Sequence, residues 1–127
     1  AEELMKYKRF TVIIIGGHMR LNSHSTFGPI ALNTLSHFAN YKLFLGVDSF
    51  SFENGISTPN MEEAMLNQAM IAQATEVIAV FDSSKFNKRS FCHIAHCEQI
   101  NAIVTDRNLP SSTATRLKAK NIQLYLA

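Results

Sequence analysis

The stretch VIAVFDSSKF, Val77 to Phe86, decides the fold. Five apolar residues, Val77-Ile78-Ala79-Val80-Phe81, run on without the alternation of a half-buried strand. They give way at once to an acid, two hydroxyls and an amine, Asp82-Ser83-Ser84-Lys85. A continuous apolar run of this length reads as a strand buried on both faces, as in a parallel sheet. Ligands in open parallel sheets bind beyond the carboxyl ends of the strands, where Asp82 to Lys85 would stand.

Similar short runs lie on either side. Thr11–Ile15, Lys42–Val47, Glu76–Phe81, Ala102–Thr105 and Ile122–Leu126 are the predicted strands. Helical patterns fall between them. Pro29–Phe38 has Ile30, Leu32, Leu35 and Phe38 apolar. Met61–Ala74 places Met61, Ala64, Met65, Ala69 and Ala72 on one face, and Ser112–Lys120 suits a third helix. Thr58 is the expected N-cap of the second helix, with Pro59 at its first position and Glu62 and Glu63 in its first turn. Ser111 or Ser112 would cap the third after Pro110. Strands alternating with helices predict an α/β fold, a mostly parallel sheet with helices on both faces. Asp82–Gln99 is the least regular part.

A chain of 127 residues suits one domain. With 46% hydrophobic and 17% charged residues it can build a core. The net charge of +2 is no basic footprint for nucleic acid. No apolar run approaches the roughly 20 residues of a membrane helix, and Ala1 to Phe10 is too charged for a signal peptide. Without Trp and with 9% aromatic residues, a base-stacking platform is not expected. Two cysteines, Cys92 and Cys97, fall short of a disulfide framework, so a reduced cytoplasmic chain is expected. The chain begins with Ala1 rather than Met, which predicts a piece of something longer.

Each predicted strand end offers a candidate. Gly16-Gly17 can let backbone approach a ligand, and Arg20 can grip a phosphate or carboxylate; a plain tight turn is the alternative. Asp48 can accept from sugar hydroxyls or serve only as a turn or capping carboxylate. Asn54-Gly55 reads as a loop or a hairpin-type turn. Lys85 suits a phosphate, a carboxylate or a sugar oxygen, and Thr105-Asp106 ends its strand in a similar way. Cys92-His93-Ile94-Ala95-His96-Cys97 invites a metal reading. On a helical turn, however, its ligands would face two ways and match no common zinc spacing, so no metal is expected. No dinucleotide or nucleoside-triphosphate loop is present, so no cofactor is expected. No Ser elbow or supported Cys nucleophile is present, so no catalytic residue is assigned.

Read together, these motifs resemble the C-terminal, effector-sensing domain of DeoR-family bacterial transcription regulators. The matching segments are VIIIGGHMR (Val12–Arg20), Phe27-Gly28-Pro29, FLGVD (Phe44–Asp48), NGISTPNMEE (Asn54–Glu63), Met70-Ile71, DSSKF (Asp82–Phe86) and VTD (Val104–Asp106). Phe44 through Met70 is most similar to regulators of amino-sugar use, such as N-acetylgalactosamine repressors.

The resemblance implies the fold group of ribose-5-phosphate isomerase, glucosamine-6-phosphate deaminase and CoA transferases. It implies a phosphorylated-sugar effector that modulates DNA binding and oligomerisation, most often in a repressor. Asp48 and Lys85 would flank the sugar and Glu63 would lie nearby. Gly16, Gly17, Arg20 and Thr58 complete the expected ligand-binding set. The resemblance further implies that residues 1–127 are the C-terminal part of one sensor domain. The helix-turn-helix that reads DNA and the early, phosphate-cradling half would lie outside this sequence. Missing strands would leave an exposed sheet edge and apolar surface, and a homo-oligomer is the expected state. A sugar-phosphate isomerase or deaminase on the same fold is the alternative; Glu62 or Glu63 would then be its base. A structural piece supplying only a dimer surface is a third reading.

Overall fold

The computed structural model describes residues 2–21 and 24–127. The elements, in chain order, are α1 (Glu2–Met5), β1 (His18–Met19), β2 (Thr26–Phe27), α2 (Pro29–Leu35), β3 (Tyr41–Gly46), β4 (Ser49–Ser51), β5 (Gly55–Thr58), α3 (Met61–Gln73), β6 (Ala74–Val80), β7 (Cys92–Ala95), β8 (Ala102–Thr105), α4 (Ser111–Ala119) and β9 (Gln123–Leu126). Short 3₁₀ turns occupy Ser83–Lys85 and Cys97–Gln99.

The predicted parallel sheet is present. It has four strands in the order β3-β6-β8-β9, every pair parallel. Its register aligns Leu45, Ala79, Ile103 and Leu124 in one cross-strand row. That face is the core. Leu43, Leu45, Val77, Ala79 and Ile103 pack there with Ala64 and Ile71 of α3 and Leu117 of α4. Each large apolar side chain so buried contributes about 1.5–3 kcal/mol. A second cluster joins Ala31 and Leu35 of α2 to Leu66 of α3.

Cover on the opposite face is incomplete. Phe44 is 67% exposed and Tyr125 54%, while Val80 is also exposed and Ile78 buried. Side chains alternate across a strand, so the Phe44 face of β3 meets solvent while Leu43 and Leu45 meet the core.

The run Thr11–Ile15 is not a strand. It has no ladder partner among the described residues, and Ile14 is 68% exposed. A strand exists only by pairing, so apolar composition alone does not make one. Extended pairing begins instead at His18–Met19, against Thr26–Phe27.

The sequence also conceals a second, antiparallel sheet, β4-β5-β7. Asn54-Gly55 is the hairpin reading realised, joining β4 to β5. Gly55 is required there, because its φ is +67° and an added Cβ would collide with the Ala95 carbonyl oxygen. The third strand is Cys92–Ala95, so the stretch Cys92–Cys97, weighed above for metal ligands as a helical turn, is a strand followed by a 3₁₀ turn. Thr58 is corrected as well. It lies in β5, and the N-cap of α3 is Asn60, whose Oδ1 accepts from the Glu63 amide at 2.8 Å.

Candidate functional site

The carboxyl ends of β3, β6 and β8 carry Asp48, the Asp82–Lys85 turn and Asp106. Asp48 and Lys85 stand at this edge, each in its own group, with Thr58 bonded to Asp48, while Arg20 and Glu63 are joined to each other at the start of α3.

In the first group, the Thr58 hydroxyl donates to Asp48 Oδ2 at 2.7 Å. Thr58 is fully buried and Asp48 exposed. One Asp48 oxygen is thus oriented by the protein while its carboxylate faces solvent. Two residues after Thr58, Asn60 starts α3, and Glu63 in its first turn is ion-paired with Arg20. The pair is partly buried, with side-chain exposures of 32% for Arg20 and 22% for Glu63. Arg20 follows Gly16-Gly17, both at positive φ. Gly17 permits a close approach, since an added Cβ would collide with the Phe27 carbonyl oxygen and press on Ala31. The Gly-Gly pair therefore seats this segment against α2.

In the second group, Lys85 closes the 3₁₀ turn after β6. Its backbone N–H donates to the Asp82 carbonyl at 3.0 Å. Its side chain is half-buried and makes no ion pair with any described residue. Asp82 caps the turn, its Oδ1 accepting from the Ser84 amide at 2.9 Å. Asp106, across from it at the end of β8, accepts from the Ser83 amide at 2.6 Å, the Ser83 hydroxyl at 2.9 Å and the Asn108 amide at 2.8 Å. Hydrogen bonds from Ser84 hold the Asp82 carboxyl below its ordinary range, and those from the Ser83 and Asn108 amides do the same for Asp106. Both carboxylates stay ionised at neutral pH.

The two groups meet through the antiparallel sheet. Phe50 of β4 bridges to Phe86, next to Lys85, and its ring stacks on Phe81 at 5.8 Å between centroids. Ser49 and Ser90 hydroxyls lie 2.7 Å apart, and the Ser90 amide donates to Ser57 at 2.9 Å. These contacts pin the loop after Lys85 to the strands after Asp48. No direct bond joins Lys85 to Asp48, Arg20 or Glu63 among the described residues.

The sequence reading leaves Asn60 and the Ser49–Ser57–Ser90 set out of the site, and gives Asp106 only as a similar strand end without a ligand role. Asn60 had a signal, being a capping residue three before an acid. Asp106 had a weaker one, a second acid at a neighbouring strand end. The serines had none, because β7 was not foreseen.

A concavity of about 670 Å³ opens at the opposite, amino ends of the strands, beside Thr75, Glu98, Asn101 and Lys120. Its cation is already paired, Lys120 with Glu98 at 3.3 Å. Cys92 and Cys97 are buried free thiols, and burial pushes the Cys97 thiol up. His93 and His96 have ring centroids 4.4 Å apart, but no cluster of three metal-ligating groups exists among the described residues. Nor is any described helix long and apolar enough to cross a membrane.

A parallel sheet with oriented polar groups at its carboxyl ends defines an α/β ligand-site class. The comparison with known families narrows it. The family model described as the DeoR C terminal sensor domain matches residues 1–107, and the chain belongs to that family. It is 35% identical over 126 residues to a putative aga operon transcriptional repressor of Escherichia coli O157:H7, covering 99% of this chain and 47% of that protein. It is 31% identical to the HTH-type transcriptional repressor GlcR of Bacillus subtilis, covering 95% of this chain and 46% of that protein. It is 26% identical to the glycerol-3-phosphate regulon repressor of Escherichia coli K12, covering 99% and 50%. The chain spans about half the length of these curated relatives, all of them transcriptional regulators.

Proposed function

We propose that this chain is the C-terminal part of an effector-sensing domain. It binds a phosphorylated sugar and thereby modulates DNA binding and oligomerisation of a cytoplasmic repressor of sugar metabolism. On this reading DNA is read by a helix-turn-helix in a preceding segment, the protein works as a homo-oligomer, and the chain catalyses nothing. The observation that carries the proposal is Lys85. A half-buried lysine without a close ion pair, at the carboxyl end of a parallel sheet, is a place for an anionic oxygen. Asp48, oriented by Thr58, supplies an acceptor for sugar hydroxyls. The resemblance of Phe44 through Met70 to regulators of amino-sugar use favours an amino-sugar phosphate.

The isomerase or deaminase alternative needs a poised base. Glu63 is engaged by Arg20 instead, which favours sensing.

A thermal-shift screen against hexose and hexosamine 6-phosphates tests the proposal. A ligand that binds only the folded state raises stability by about 2.7 kcal/mol at a hundredfold excess over Kd. The expected result is a rise in melting temperature with a phosphosugar, absent with the unphosphorylated sugar and reduced in Lys85→Ala. Turnover of glucosamine 6-phosphate, abolished by Glu63→Gln, would replace the sensor reading with the enzyme one.

A further inference from the structure

Lys85 stands on a weak platform. A 3₁₀ turn of three residues has poor internal hydrogen bonds and does not hold its shape unaided. Two aspartates flank it. Either would be expected to neutralise the lysine, yet neither forms an ion pair with it. Asp82 holds the Ser84 amide. Asp106 holds Ser83 by amide and hydroxyl, and Asn108 by its amide. Asp106 comes from β8 and the turn from β6, adjacent parallel strands. The carboxylate therefore ties the lysine-bearing turn to the neighbouring strand end while its own charge is met by N–H and O–H groups. Hydrogen bonds to an ionised acceptor are short and strong, as the 2.6 Å contact is.

We propose that Asp106 is a positioning residue of the ligand site. Its carboxylate fixes the Ser83–Lys85 turn, so that the Lys85 ammonium, in no close ion pair and attracted by Asp82 only at longer range, is presented to an anionic ligand. The inference rests on the proposed role of Lys85. It adds a residue on another strand that acts through Lys85 and touches no ligand.

The test is a double-mutant cycle on this chain, read by calorimetric titration with galactosamine 6-phosphate. The variants are Asp106→Asn, Lys85→Gln and the two combined. The Asp106→Asn amide keeps one acceptor oxygen and offers Ser83 a donor where it needs the other. The expected result is a loss of about tenfold for Asp106→Asn, the scale of one hydrogen bond to a charged group. That loss should vanish when Lys85 is already replaced by Gln. Asp106→Glu, which keeps the charge, should recover part of it. Ser83→Ala, which keeps the amide donor, should lose less than Asp106→Asn.

Equal losses with and without Lys85 would mark general destabilisation and overturn the positioning role. Binding lost in Lys85→Gln but untouched in Asp106→Asn would also overturn it, leaving the sensor reading intact. If the wild-type chain binds no phosphosugar, the ligand role of Lys85 on this chain falls, and this inference with it. Where the Lys85 variant binds too weakly to titrate, amide exchange decides. The Lys85 and Phe86 amides, which close the turn, should exchange at least about tenfold faster in Asp106→Asn, and unchanged rates would refute the tether.

Discussion

Arg20 and Glu63 form an ion pair across the chain, joining the segment after Gly16-Gly17 to the first turn of α3. It is the most enclosed ion pair among the described residues; the partners in the others are more exposed on at least one side. Glu63 is held twice, by its amide on Asn60 and by its carboxylate on Arg20. Partial burial reduces screening without the full desolvation cost of a core pair. A cycle of Arg20→Ala, Glu63→Gln and the double variant should give a coupling of about 1 kcal/mol in urea unfolding, falling with added salt. A coupling near zero would mean that solvent, not Glu63, satisfies Arg20.

Asp106 makes the fold acid-sensitive in a stated direction. Its folded-state pKa is depressed, chiefly by the Ser83 and Asn108 amides. Its stabilisation is therefore fully present above the unfolded value of about 3.9 and is lost as pH falls through the lower folded value. The gap in melting temperature between wild type and Asp106→Asn should be constant from about pH 5 to 7 and close below about pH 4. A gap that is unchanged at acid pH would show that the carboxylate is not what holds Ser83.

Thr105 is buried at the end of β8, and its hydroxyl has no hydrogen-bond partner among the described residues. A hydroxyl buried without a partner costs about 1–3 kcal/mol, and a methyl of the same shape removes that cost. Thr105→Val should leave stability unchanged or raise it by about 1 kcal/mol. Chemical denaturation reads this directly, and a clear loss of stability would mean that the hydroxyl is satisfied in solution.

Gly55 closes the β4–β5 hairpin at φ +67°, under the Ala95 backbone. Gly55→Ala combines a left-handed backbone with a steric collision. It should cost more than the roughly 1 kcal/mol of an ordinary glycine replacement, and the thermal midpoint should drop by several degrees. A melting curve like that of the wild type would contradict the close packing of this hairpin on β7.

How much of this was legible depends on how local the cause is. β3, β6, β8 and β9 were readable because short runs rich in Val, Ile, Leu and Phe mark strands, although β3 buries only one face and β9 stays largely exposed. α3 was readable from its spacing and its acidic first turn. Its cap was misplaced by two residues, since Thr58, Pro59 and Asn60 are all acceptable start signals and only the ladder between Thr58 and Cys92 decides among them. Thr11–Ile15 misled for the converse reason: its composition suits a strand, but nothing among the described residues pairs with it. β7 was hidden because Cys-His-Ile-Ala-His-Cys has no period, and its partner β5 lies far away in the sequence. At the site, Lys85 and Asp48 announced themselves by following apolar runs. Asp106 did so too, after Ala102–Thr105, but its hold on Ser83 was not legible, because it depends on β8 lying beside β6.

Where the ligand sits can be read from an amide chemical-shift titration of the ¹⁵N-labelled chain with galactosamine 6-phosphate. Resonances of Gly16, Gly17, Arg20, Asp48, Thr58, Glu63 and the Ser83–Lys85 turn should move together and saturate, with one dissociation constant. Shifts confined to the opposite edge, at Thr75, Asn101 and Gln123, would contradict the proposed site by placing the ligand at the amino ends of the strands.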